Sequence, residues 1–198
     1  MLLLLCSTQS SLSSRTEYCA AFSSLPAVKG TSSTARGISV DTALRYKGVK
    51  ELLNNRGKLV DLWNKFAGNA LGSPYCAAFV SYCLSKDSAI PFKIKSGLAR
   101  TFWTKVPKEL KHSADDVLRR KYRPKYGDLV IWANGSTMTG HIGFVISYDE
   151  RTGIITTIEA NTSSGKSGSQ SNGNGVYVRY RKISRDTYFH IIGFVETE

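Results

Sequence analysis

The chain has 198 residues, 27 Lys and Arg against 15 Asp and Glu, a net charge of +12 and 41% apolar residues. That is enough for one domain with a buried core, and the apolar share excludes a wholly disordered chain. No apolar run approaches the roughly 20 residues of a membrane-spanning helix, which excludes helical channels and carriers, while the positive balance favours anionic partners such as wall polymers, lipopolysaccharide, nucleic acid or acidic lipid.

The first six residues read MLLLLC. The apolar run is shorter than a signal-peptide core and has no basic residue before it, so export by a standard signal peptide is not expected. Residues 1–38 are rich in Ser and Thr, and Glu17 is their only acid. This stretch is expected to be mostly disordered, with the folded domain in residues 39–198. Within it, Tyr18-Cys19-Ala20-Ala21-Phe22 repeats the string Tyr75-Cys76-Ala77-Ala78-Phe79. Only the second copy follows a helix start and runs on into apolar residues, so Cys19 is not assigned to chemistry.

From Asp41 the pattern predicts a helix with Ala43, Leu44, Val49 and Leu52 or Leu53 as apolar positions. Asn54-Asn55-Arg56-Gly57 is a turn. A second helix follows, with Leu59, Val60, Leu62, Trp63 and Phe66 on its buried side. After a Gly68–Gly72 connector, a third helix starts at Ser73-Pro74 and runs to about Leu84. A fourth begins at Ser96 and carries Leu98, Ala99, Phe102 and Trp103. Beyond Lys125 the period changes to that of strands: Asp128 to Trp132, His141 to Tyr148, Ile154 to Asn161, Val176 to Lys182 and Phe189 to Val195. Helices followed by an antiparallel sheet of about five strands make an α+β fold.

Four cysteines are present, Cys6, Cys19, Cys76 and Cys83. Cys76 and Cys83 fall on one helix, about 10 Å apart at a rise of about 1.5 Å per residue, which is too far for a disulfide. No CxxC occurs and the three histidines do not cluster, so no metal site is expected. Ser is a favoured N-cap and Pro a favoured first helical residue, which puts Cys76 at the third helical position. There the free amides and the positive end of the helix dipole favour a thiolate, the reactive form. Helix position alone fits a small buried residue equally well.

A nucleophilic cysteine needs a base, and the base an orienting group. Gly140-His141-Ile142-Gly143 places a histidine at a strand start, and Glu159-Ala160-Asn161 ends the next strand. The short Asp149–Gly153 turn makes these strands antiparallel neighbours. His141, Glu159 and Asn161 therefore share one end of a hairpin, with Glu159 and Asn161 on one face by strand alternation.

Gly72-Ser73-Pro74-Tyr75-Cys76-Ala77-Ala78-Phe79-Val80-Ser81 resembles the nucleophile motif of CHAP domains, the cysteine, histidine-dependent amidohydrolases/peptidases. Lys125-Tyr126-Gly127-Asp128-Leu129-Val130-Ile131-Trp132 is similar to the strand that follows in that family. Gly140 to Val145 resembles its histidine motif, and Ile158-Glu159-Ala160-Asn161-Thr162 its acid–amide motif. The likeness runs in order over about residues 41–198. Tyr75 stands where many relatives have Trp, and the proline often found before Gly127-Asp128 is missing. The resemblance implies a papain-like fold within the NlpC/P60-like superfamily. It also implies an enzyme that cleaves an amide bond of peptidoglycan without a cofactor, acting as a monomer at the bacterial cell wall. The bond would be N-acetylmuramoyl-L-alanine or one in a stem or cross-bridge peptide, and the setting a phage endolysin, a wall-remodelling enzyme or an antibacterial effector. Cys76 would be the nucleophile, His141 the base, and Glu159 and Asn161 its supports, with the Cys76 amide holding the oxyanion and Tyr75 as a candidate second donor.

The other readings are local. His112 and His190 match no motif and are expected to be structural. Asp128 reads as a turn residue and Cys83 as core. The run from Arg119 to Lys125 is either a docking face for anionic polymer or a solvated connector. The rival to an enzyme is a non-catalytic basic module that binds wall glycan or nucleic acid. Such a binder has no need of a helix-start thiol beside a base.

Overall fold

The computed structural model describes residues 37–137, 139–165, 172–184 and 189–198. The expectations for the Leu-rich start, for Cys6 and Cys19, and for disorder before Gly37 lie outside the described residues, as does the middle of the loop between Ser163 and Gly175.

Two helices, α1 (Ile38–Arg45) and α2 (Lys58–Ala67), precede the central helix α3 (Cys76–Leu84). A short α4 (Thr101–Thr104), a 3-10 turn (Lys108–Leu110), strand β1 (Lys111–Ser113) and α5 (Ala114–Leu118) lead into β2 (Leu129–Asn134), β3 (Gly140–Asp149), β4 (Ile154–Thr162), β5 (Gly175–Lys182) and β6 (Phe189–Val195). The strands form one antiparallel sheet in the order β1-β6-β2-β3-β4-β5. This is a papain-like α+β fold. All nine residues of α3 are buried. Phe79 and Val80 join Leu129, Ile131, Ile142, Phe144, Ile158 and Val176 in the main core. A second cluster around Val130, Val145, Ile155, Ile191 and Phe194 sits under α5. At about 25 cal/mol per Å² of apolar surface removed from water, burial of this kind dominates the stabilisation.

Several boundaries differ from the sequence expectation, each for a local reason. Helix α1 starts at Ile38 rather than Asp41 and ends at Arg45, because the backbone turns at Gly48 with φ +87°. Val49 instead pairs with β5, its carbonyl accepting from Val176 N–H at 2.9 Å, and Leu52 and Leu53 stand exposed. The Asn54–Gly57 turn is present, with Asn55 at φ +53°. In α2, Val60 and Trp63 are fully buried while Leu59, Leu62 and Phe66 pack partly exposed beside them. The fourth helix shrinks to four residues because Ser96 caps a turn, its hydroxyl accepting from Leu98 N–H at 3.0 Å, and Leu98 is exposed. A sixth strand, β1, joins the sheet through β6.

Candidate active site

The segment before α3 is fixed by α2. Asn64, fully buried on α2, donates from Nδ2 to the Ser73 carbonyl at 2.9 Å and accepts at Oδ1 from Asn69 Nδ2 at 3.1 Å. Ser73 is thus held in a loop and does not cap the helix. Tyr75 takes the N-cap position with no side-chain cap, and Cys76 is the first helical residue rather than the third. The first bond of the helix runs from Phe79 N–H to the Tyr75 carbonyl at 2.9 Å, so the Cys76 amide has no acceptor within the helix. The thiol opens onto a cleft of about 590 Å³. Its walls include Asn69, Ser73, Leu98, Asn134, Gly140 and Phe189, and none of the residues that line it carries a charge.

Across the cleft, β3 delivers His141, which is fully buried. Its Nε2 bonds Glu159 Oε2 at 2.9 Å. A carboxylate can only accept here, so Nε2 carries a proton, and in the neutral ring it is Nδ1 that holds the lone pair. Nδ1 has no other hydrogen bond, and the Cys76 sulfur lies close enough to act on the ring. Trp132 and Phe189 pack on the imidazole at centroid distances of 5.3 and 6.2 Å.

Glu159 reaches His141 because of a glycine. Gly143 pairs with Glu159 across the β3–β4 ladder, two residues on from His141. A Cβ at Gly143 would lie 2.8 Å from Glu159 Cγ, so the missing side chain is the space the carboxylate crosses. The carboxylate has three other bonds. Thr157 Oγ1 donates to Oε1 at 2.6 Å, Arg181 Nε to Oε1 at 2.9 Å and Arg181 Nη2 to Oε2 at 2.5 Å. Burial alone would raise the Glu159 pKa, but Arg181 and His141 outweigh it and hold the group at about 2. For His141, burial alone would lower the value, but Cys76 and then Glu159 raise it to about 9.

Asn161 sits differently from its neighbours. The ladder shifts register between Ala160 and Thr162, and Asn161 has φ +58°. The bulge breaks the alternation that would put Asn161 on the face of Glu159. Its side chain is fully buried, and neither Oδ1 nor Nδ2 has a hydrogen-bond partner, so Glu159 alone of the pair bonds the imidazole. Tyr75 is also fully buried, stacked on Trp63 at 5.9 Å. It does not line the cleft.

Sequence reasoning missed Thr157 and Arg181. Thr157 lies two residues before Glu159 on one strand, a spacing that could have pointed to it. Arg181 is 22 residues away from Glu159 and becomes a neighbour only through the β4–β5 pairing.

The other candidates lie elsewhere. Asp128 accepts from Tyr122 Oη at 2.5 Å and Lys125 N–H at 2.7 Å, fixing the turn before β2. His112 stacks on Tyr122 at 3.6 Å and bonds Glu196 at 2.6 Å. His190 lies near Ser113 and Asp115, away from the cleft. Cys83 is fully buried, which raises its thiol pKa. In the basic run, Lys121, Arg123 and Lys125 point outward while Tyr122 and Pro124 are buried. Among the described residues no helix is long and apolar enough to cross a membrane, and no group of three His, Cys, Asp or Glu could hold a metal ion.

The family model of the CHAP domain matches residues 68–161, the span from the loop before α3 to the bulge at Asn161. No curated protein matches the chain.

Proposed function

The chain carries a CHAP domain, a family of amidohydrolases and peptidases of the peptidoglycan hydrolase type, and from that premise we propose that it hydrolyses an amide bond of peptidoglycan with Cys76 as nucleophile and His141 as base. One observation carries the reading. A helix-start thiol opens on a cleft, close enough to act on the ring of a histidine whose Nε2 is bonded to a buried carboxylate and whose Nδ1 has no other partner.

The steps follow from that geometry. His141 Nδ1 takes the Cys76 proton, and the thiolate attacks the amide carbonyl. The imidazolium is then flanked by Glu159, which stabilises its charge and fixes the ring. The Cys76 amide, free at the helix start, donates to the oxyanion. His141 passes its proton to the leaving amine. Water then enters and loses a proton to His141, its oxygen adds to the thioester carbonyl, the C–S bond breaks to release the acid, and the proton on His141 returns to the Cys76 sulfur. Asn161 supports the site by holding the backbone bulge beside Glu159. The uncharged cleft suits a peptide backbone with small side chains next to the bond cut. The reaction takes place at the bacterial cell wall and uses no cofactor.

Zymography on purified sacculi, with mass spectrometry of the released fragments, tests activity and identifies the bond together. Clearing by the wild type and none by Cys76→Ala is the expected result. Intact sacculi after treatment with folded wild-type protein would overturn the reading.

A further inference from the structure

The charges around the candidate base do not balance without a residue outside the matched span. Glu159 is fully buried with an anionic head, and one imidazole is a partial counterpart at best. A buried carboxylate with a single partner would take up a proton instead. The remaining balance comes from β5. Arg181 makes a two-pronged contact, Nε to Oε1 and Nη2 to Oε2, with only 12% of its side chain exposed. Its guanidinium carbon also lies 5.6 Å from the centroid of Trp132, the ring that packs on His141. A planar fork is the side chain suited to gripping a carboxylate and lying against an indole together.

We propose that Arg181 is a positioning residue for the hydrolytic site, keeping Glu159 ionised and aimed at Nε2 and thereby setting the pH range in which His141 exchanges its proton. The proposal rests on the Cys76–His141 reading for its role in turnover, but the coupling itself is a property of the protein alone. Cys76 on α3 and Glu159 on β4 act on the imidazole, and Arg181 on β5 acts on Glu159. Arg179 on β5 acts on both Arg181 and Glu159, and Tyr177 lies opposite Glu159. From strands β2 and β6 the rings of Trp132 and Phe189 pack on the imidazole. Removing the Arg181 cation strips Glu159 of its two-pronged cationic partner, so more of its charge falls to the imidazolium to balance, beside the field of Arg179. The histidine pKa should therefore rise, whereas removing the Glu159 charge should lower it.

The test is an NMR titration of His141 in the full chain, without substrate, for wild type, Arg181→Gln, Arg181→Lys and Glu159→Gln. Arg181→Gln should raise the His141 midpoint by about one pH unit, as expected for the loss of a nearby charge. Arg181→Lys should restore most of that midpoint while turnover stays low, since an ammonium supplies charge without the fork. The pH–rate profile on sacculi should move with the titration. An Arg181→Gln midpoint equal to wild type, in a variant with native amide dispersion, would overturn the proposal. If Arg181→Gln fails to fold, Arg181→Lys decides: lowered turnover with a midpoint raised by less than one unit supports the proposal, and a midpoint and turnover both equal to wild type overturn it. Sacculi left intact by wild type with the titration behaving as stated would sink the hydrolase reading and leave the coupling standing.

Discussion

On the proposed reading Cys76 has to meet substrate beside a base and an oxyanion donor, and the first position of α3 puts it on the cleft wall with its own amide unbonded within the helix. Cys76→Ala and Cys76→Ser should abolish wall hydrolysis with an unchanged circular dichroism spectrum; a folded Cys76→Ala protein that still clears sacculi would remove the nucleophile assignment. Iodoacetamide at mildly acidic pH should label Cys76 well before Cys83, which is sealed in the core with its pKa raised by burial. Peptide mapping of the labelled, folded protein measures this, and equal rates at the two sites would count against an activated thiol. Glu159→Gln should lower turnover and lower the His141 pKa, because an adjacent negative charge is lost. Asn161→Ala should lower turnover with a smaller change in that pKa, since its side chain bonds nothing at the ring. The Glu159 and Asn161 variants keep the proposed nucleophile, base and oxyanion donor, so their activity should fall without vanishing.

Strands β3 and β4 bring His141, the proposed base, and Glu159 together, and Gly143 is a tight point of that arrangement. In Gly143→Ala the new methyl would lie 2.8 Å from Glu159 Cγ and 2.9 Å from the Ile158 carbonyl. Overpacking of this kind costs about 1–3 kcal/mol, and a carboxylate displaced by about 1 Å can cost on the order of a hundredfold in rate. Thermal unfolding and turnover measured together should show a much larger loss of activity than of stability; wild-type turnover would mean that Glu159 does not need this passage. The sequence revealed most of this level. A nine-residue apolar helix after Ser73-Pro74, and apolar runs such as Leu129-Val130-Ile131-Trp132 bounded by turn residues, leave strong signals. The exact start of α3 was not legible, because the competitor for Ser73 is Asn64 on another helix. Strand β1 was hidden because Lys111-His112-Ser113 has neither length nor apolar alternation. Arg181 was hidden because a contact across a ladder leaves no mark in local spacing, and the bulge at Asn161 because it depends on the backbone angle that the β5 pairing permits.

For the whole domain, the buried charges predict how stability responds to pH. Glu159 is lowered from 4.5 to about 2, so it adds stability that is complete above pH 4.5 and lost as pH falls through about 2. His141 is raised from 6.5 to about 9, so its contribution is complete below pH 6.5 and lost as pH rises through about 9. Asp128 acts in the opposite sense: raised from 3.8 to about 6 by burial, it weakens the fold as pH climbs through that range. Melting temperatures across pH should therefore fall on both the acid and the alkaline side, and Glu159→Gln should flatten both flanks. An alkaline flank as steep in Glu159→Gln as in wild type would show that the His141–Glu159 pair does not control it. The sheet order has a different consequence, for how the chain reaches this state. Strand β6 lies between β1 and β2, although some fifty-five residues separate β2 from β6 in sequence. Until residues 189–195 arrive, β2 presents an unpaired row of amides and carbonyls flanked by Leu129, Val130, Ile131 and Trp132, an edge open to any other extended chain. Closing so distant a pair is slow relative to forming the β3–β4 hairpin. Refolding from denaturant should thus be a race between the chain's own last strand and its neighbours, its yield falling as protein concentration rises.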